Sequence, residues 1–314
     1  MKPRLLELLV CPACKGELGL QPAHTSGNEI MSGTLACGAC RAGYPIVGGI
    51  PRFVAHDGYA ESFADEWHRF RTVQLDSANG TRESEDGLRL KIGLGPADAR
   101  GRLVLDAGVG AGRYAEVMAR WGAEVVGVDL TRAVDAAAEN LRPWPGIHLV
   151  QADIFALPFH DETFDIAYSI GVLHHTPDTG TAFRRVAAKV KKGGQLGVYV
   201  YFAGGLGRYV SDALRGITTR LPRPLVYYAS ALAIPLYFLH RLPAVGRVSQ
   251  VLLPTSTHRD WRWRWLDTFD WYTPRYQWKH RYPEVLGWFR EAGFSDLYVA
   301  DEPISIRGLK VSAP

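Results

Sequence analysis

Between residues 103 and 201, short runs of β-branched and aliphatic residues alternate with stretches whose apolar positions recur every three or four residues. The runs over 103–107, 124–129, 148–152, 165–169 and 195–200 have strand character, and 114–121, 131–141 and 181–191 carry helical periodicity. Strands alternating with helices predict a doubly wound α/β domain, its parallel sheet covered on both faces. Past 203 the alternation stops. Residues 203–274 are rich in aromatics and arginine, with prolines at 222, 224, 235, 243 and 254, and predict a helical lid inserted into the fold. A helical pattern returns over 283–292, where Pro283 suits a first turn and Gly293 a C-terminal stop. Two last strands, 297–300 and 304–309, follow each other too closely for a parallel crossover and must pair antiparallel. The expected whole is a mostly parallel, Rossmann-like sheet of seven strands ending in an antiparallel hairpin. Its segments are a small N-terminal domain (1–56), an aromatic helical cap (57–100), the core (101–202), the lid (203–275) and the closing helix and strands (276–314).

Composition changes this picture little. With 314 residues, 47% hydrophobic and 22% charged, the chain can bury a full core, and a formal charge of +4 does not demand an anionic partner. The first ten residues lack the apolar stretch of a signal peptide, so a cytoplasmic chain is expected. The longest apolar run, 225–239, contains Pro235 and falls short of the roughly 20 residues that cross a bilayer. No transmembrane segment is expected, and a buried helix or a surface-dipping amphipathic piece remains open.

All four cysteines lie near the start, as C-P-A-C (Cys11, Cys14) and C-G-A-C (Cys37, Cys40). Two such knuckles offer four soft sulfur ligands in two close pairs, the donor set of a structural, tetrahedral zinc. Redox chemistry needs only one pair and leaves the other unexplained. A zinc ribbon is therefore expected over the first domain.

The run V-L-D-A-G-V-G-A-G-R carries a strand into Gly108, Gly110 and Gly112 and then into a helix. Such a turn brings a ligand against backbone, and dinucleotide enzymes use a similar one. Asp106, just before the glycines, repels a pyrophosphate but attracts the amine and sulfonium of S-adenosylmethionine. Asp129 ends the next strand, where a carboxylate can accept from both ribose hydroxyls.

Three further segments are Q-A-D-I-F-A-L-P-F (151–159), F-D-I-A-Y-S-I-G-V-L-H-H-T-P-D (164–178) and K-K-G-G-Q-L (191–196). With the glycine turn and Asp129, this succession closely resembles the class I S-adenosylmethionine-dependent methyltransferases of the type 11-like group. The resemblance runs from about 103 to 201 and resumes at the C-terminal hairpin. Lys192 stands where the family usually has Pro, in a turn outside the cofactor site. The resemblance implies that Gly108, Gly110 and Gly112 pass under the methionine portion with Asp106 near its amine. It implies that Asp129 holds the ribose, Leu130 and Ile154 flank the adenine, Asp153 faces its exocyclic amine, and Ser169 to Val172, Gly171 among them, form the floor. The first segment resembles the small zinc-ribbon domain fused or bound to some methyltransferases. The stretch 59–76, with Phe63, Trp67 and Phe70, resembles a cap that precedes the core in a subset of them.

A hydroxyl or protonated amine acceptor needs a base, placed at the carboxyl ends of the strands. His174 and His175 follow the fourth strand, although neighbours in sequence cannot both face the site; His280 is a further candidate, and Tyr201 should line the acceptor side. The aromatic lid favours an enclosed, small-molecule acceptor, apolar or aromatic, methylated on oxygen or nitrogen: a natural product, sugar or lipid-like metabolite. The alternative is an RNA methyltransferase gripping nucleic acid with the ribbon and the R-D-W-R-W-R-W stripe over 259–265. A third reading is a partner-binding subunit that merely holds the cofactor, against which the intact glycines and both aspartates argue.

Overall fold

The computed structural model describes residues 1–54, 58–60, 66–67, 69–204 and 206–311. Its strands are β1 (Leu18–Ser26), β2 (Glu29–Cys37), β3 (Gly43–Val47), β4 (Ile50–Pro51), β5 (Leu103–Ala107), β6 (Glu124–Asp129), β7 (Ile147–Gln151), β8 (Phe164–Ile170), β9 (Val190–Tyr199), β10 (Phe294–Val299) and β11 (Ser305–Lys310). The first four form an antiparallel ribbon. The other seven form one sheet in the order β10-β11-β9-β8-β5-β6-β7. Strands β5 to β9 run parallel, and β11 is antiparallel to both β9 and β10. Every residue of β5 is buried, as a strand covered on both faces requires. The chain winds outward from β5 to β7 and then returns to β5's other side with β8. This reversal opens a crevice beyond the carboxyl ends of β5 and β8.

The K-K-G-G segment forms no separate turn. It lies within β9 as a bulge, because the register jumps from Phe164 opposite Val190 to Ile166 opposite Gln195. The apolar run 225–239 is divided between two short helices, Arg223–Ser230 and Ala233–His240. Among the described residues, no helix is long and apolar enough to cross a membrane. Phe63 of the expected cap and the expected boundary at 56–57 lie at or beside positions outside the described residues.

The ribbon docks on the edge strand β7. Arg52 bridges in parallel with Gln151, the Phe53 amide donates to the Gln151 carbonyl at 2.8 Å, and the Arg52 guanidinium reaches Gln151 Oε1 at 2.9 Å and Asp135 at 2.5 Å. Leu5, Leu9, Leu35 and Ile46 join the same apolar core as Val126, Val150 and Phe159, so the two parts share one interior. The four sulfurs of Cys11, Cys14, Cys37 and Cys40 lie within 4.8 Å of one another. Tetrahedral ligands at a Zn–S distance of about 2.3 Å stand about 3.8 Å apart, so the set fits such an ion. Gly16 belongs to the cradle, since a Cβ there would press within 3.3 Å of two of the sulfurs.

The cap is fixed to the core by a polar network. Buried Asp76 accepts from the Ser84 and Glu85 amides at 2.9 and 3.0 Å, capping the helix Glu83–Ile92, and from Arg120 at 3.2 Å. Arg113 Nε donates to Ser84 Oγ at 3.0 Å, and its guanidinium lies 4.8 Å from the ring centroid of Trp263 in the lid. Cap, core and lid thus meet at Arg113.

Two outcomes follow. The Asp76→Ala chain should lose about 3 kcal/mol in a denaturant titration, because Arg120 and two amides lose a buried partner. Metal analysis of the purified chain should find one zinc per molecule, lost in Cys37→Ser together with cooperative melting of the ribbon.

Candidate functional site

The turn after β5 is built by close approach. Gly108 and Val109 donate their amides to the Val128 carbonyl at 2.8 and 2.9 Å, pulling the turn onto β6. Gly108 has φ of 102°, and a Cβ there would lie 2.3 Å from Val172. Gly110 has φ of 51°, and a Cβ there would lie 3.1 Å from the Trp67 ring, so only glycine lets the cap settle on the turn. Asp129 Oδ2 accepts the Gly110 amide at 3.0 Å, while Oδ1 accepts the Thr131 amide and hydroxyl at 2.9 and 2.8 Å.

Above this turn lies a cavity of about 380 Å³ walled by core, cap and lid together. Of the residues expected at the site, Gly108, Gly110, Asp129, Leu130, Ile154, Gly171, His175 and Tyr201 line it. Others stand behind the wall. Asp106 is 3% exposed, and Oδ2 accepts from the Tyr168 hydroxyl at 2.9 Å. Burial pushes its carboxyl up to about 7, an effect opposed by that hydrogen bond and reinforced by Asp129. Ser169 Oγ donates to the Ala107 carbonyl at 2.7 Å and is buried beneath the turn. Gly112 packs on Leu141, and Asp153 caps a short turn through the Phe155 amide at 3.0 Å while accepting from Tyr59 at 3.3 Å.

The histidines divide. A 3₁₀ turn over Leu173–His175 brings both rings against Tyr201, with His174 stacked at 3.9 Å and His175 edge-on at 5.6 Å. Only His175 reaches the cavity. Its Nδ1–H donates to the Tyr276 carbonyl at 2.8 Å, and burial lowers its pKa to about 4, so the ring is neutral. His280, expected as a base, lies outside the cavity. Nδ1 donates to Glu284 at 3.0 Å, Nε2 accepts from Thr179 at 3.1 Å, and the ring stands against Trp288. It ties the strand-end segment to two helices.

The cavity also holds three acids that the motifs did not single out: Glu66 from the cap, and Asp267 and Asp270 from the lid helix Trp261–Tyr272. Glu66 is 1% exposed, and among the described residues its Oε2 has no hydrogen-bond partner. Burial raises it well above the usual carboxylate range, with Asp270 and Asp267 adding to the effect. Burial also pushes Asp267 up to about 6, against a 2.9 Å hydrogen bond from Ser256 and the charge of Arg113. Asp270 rises to about 7 through burial and the charge of Asp267, opposed by Arg215 and a hydrogen bond from Tyr201. The i, i+3 spacing of Asp267 and Asp270 places both on one helix face and was readable in the sequence; the cavity they face was not. The Arg/Trp stripe is part of the same helix, where Trp263 and Arg264 are 6% and 4% exposed. Arg264 stacks on Tyr237 at 3.8 Å, and the Trp265 indole donates to the Tyr227 carbonyl at 2.8 Å.

A methyltransferase-domain family model matches residues 105–198, and a Trm112p-like protein model matches residues 2–49. The malonyl-[acyl-carrier protein] O-methyltransferase of Pseudescherichia vulneris is 32% identical over 140 residues, covering 45% of this chain and 53% of that protein. A ubiquinone biosynthesis O-methyltransferase of Pseudomonas fluorescens is 34% identical over 99 residues, covering 31% and 43%. The chain thus spans about half the length of the curated relatives it matches. The solved 1,6-didemethyltoxoflavin-N1-methyltransferase of Burkholderia thailandensis aligns over 93% of this chain and 100% of its own, at 18% identity and a TM-score of 0.44. Residues 105–198, within the Rossmann-like sheet, thus match a methyltransferase domain, and residues 2–49 ahead of them match a Trm112p-like domain whose four cysteines are placed to hold a metal ion.

Proposed function

We propose that this chain transfers the methyl group of S-adenosylmethionine to a hydroxyl or amine of a small acceptor held beneath the lid. The observation that carries the reading is one cavity joining the glycine turn and Asp129 to three confined carboxyl groups, Glu66, Asp267 and Asp270. The names of the matched relatives, O-methyltransferases of small or carrier-borne acceptors, support the same class. Trp263 and Arg264 of the stripe are buried while Arg259, Trp261 and Arg262 are exposed, and the cavity walled by core, cap and lid supports the small acceptor as the better reading.

S-adenosylmethionine, when bound, supplies an electrophilic methyl on a sulfonium that departs as a neutral thioether. Asp129 would accept from the ribose hydroxyls, with Leu130 and Ile154 against the adenine. Asp106, behind the turn, supplies negative potential toward the cationic end, the more so once a cation draws its proton off. Asp270, set near neutrality, would take the acceptor's proton, and the protonated Glu66 would orient the acceptor by donating a hydrogen bond. His175 and Tyr201 would form the wall that excludes water on the acceptor side. Cys11, Cys14, Cys37 and Cys40 would together hold a metal ion, which would keep the ribbon in place rather than take part in the chemistry.

Calorimetry with adenosylhomocysteine should show micromolar binding that weakens by roughly tenfold or more in Asp129→Ala. Binding of a nicotinamide dinucleotide in its place would overturn the reading. Once an acceptor is in hand, kcat should rise with pH through about 7, since a base works only when deprotonated. That limb should vanish in Asp270→Asn, with kcat falling by about a hundredfold.

A further inference from the structure

Two helices of the lid present apolar side chains to water. In the helix Val245–Leu252, Gly246 and Ser249 are the buried residues. A Cβ on Gly246 would meet the His240 carbonyl at 2.1 Å, and Ser249 Oγ lies 2.8 Å from His240 Nδ1. The opposite stripe of Val245, Val248 and Leu252, at i, i+3 and i+7, is 50%, 59% and 60% exposed. A helix facing water shows the reverse arrangement, apolar inward and polar outward. The neighbouring helix Ala233–His240 repeats the pattern, burying Ala233 and His240 while Phe238 stands 70% exposed. Among the described residues, twelve of the nineteen exposed large apolar side chains fall within 206–253. Surfaces of this kind mark an interaction site.

Charge narrows the occupant. Residues 206–253 contain six arginines and one acidic residue, Asp212, which pairs with Lys279. Arg220, Arg241 and Arg247 are exposed beside the apolar stripes. We propose that this face of the lid docks on an anionic phospholipid surface. The apolar stripes enter the headgroup–acyl boundary and the arginines meet lipid phosphates. A second copy of the chain would set one arginine-rich face against another and is opposed by their repulsion. Nucleic acid would engage the arginines but leave Phe238, Val248 and Leu252 in water. Only a lipid interface satisfies both components. The inference does not rest on the methyl-transfer reading.

Co-sedimentation of the full chain with vesicles tests it. One set is phosphatidylcholine alone, and the other contains an equal amount of phosphatidylglycerol. Partitioning should be at least about tenfold stronger on the anionic set and should weaken, without vanishing, at high salt. The triple substitution F238S/V248S/L252S should reduce it by about tenfold or more while the thermal melt is unchanged, since all three side chains are exposed. No partitioning, equal partitioning on both sets, or tighter binding to bulk RNA than to anionic vesicles would overturn the proposal. So would a solution dimer of the wild-type chain that the triple substitution dissociates.

Discussion

A single carboxylate organises the crevice. Asp129 closes β6 and spends both oxygens on backbone, one on the Gly110 amide and the other on Thr131. The turn after β5 is thereby tied to the strand beside it, and the helix Arg113–Arg120 begins with its first residues directed at the cavity. The consequences spread from this tie. The helix carries Arg113 to the meeting point of cap and lid, and the glycines let Val172 pack on the turn at Gly108 and Trp67 at Gly110. A loose turn here would leave cap and lid with nothing to close upon.

The acids under the lid show how such an enclosure sets its own chemistry. Glu66, Asp267 and Asp270 come from two separate segments; Asp267 raises the proton affinity of both others, and Asp270 raises that of Glu66. Arg113 opposes the rise at Asp267, and Arg215 opposes it at Asp270. The balance leaves groups near neutrality where isolated carboxylates would be fully ionised, which suits proton transfer more than bulk solvation does.

Sequence and structure agree best where the signal is local. The strand-and-helix alternation from 103 to 201 exposes the parallel sheet because each element carries its own period, and the short gap before 304 fixes the antiparallel return. Gly108, Gly110 and Asp129 were legible because one turn needs those residues at that spacing. Glu66 was not, since its significance depends on a lid some 200 residues away folding across it. His280 misleads for the same reason: a histidine near the crevice in sequence is drawn aside by Glu284 and Thr179. Asp106 was identified by position, but its carboxylate is turned to Tyr168 rather than to the cavity, a detail no spacing encodes. In the K-K-G-G segment a turn motif and a bulge have the same composition, and only the neighbouring β8 decides between them.

The seam between ribbon and sheet carries a consequence for the life of the chain in solution. A parallel sheet ends on a strand whose outer amides and carbonyls invite pairing with any extended segment that drifts past. Here that strand is β7, and Arg52 and Phe53 already occupy its outer rim. The far rim is managed differently, by the irregular register of β10 against β11 between Ser295 and Tyr298. One margin of the sheet is therefore guarded by the four-cysteine module, and a metal ion held there would couple the colloidal fate of the whole molecule to its own supply.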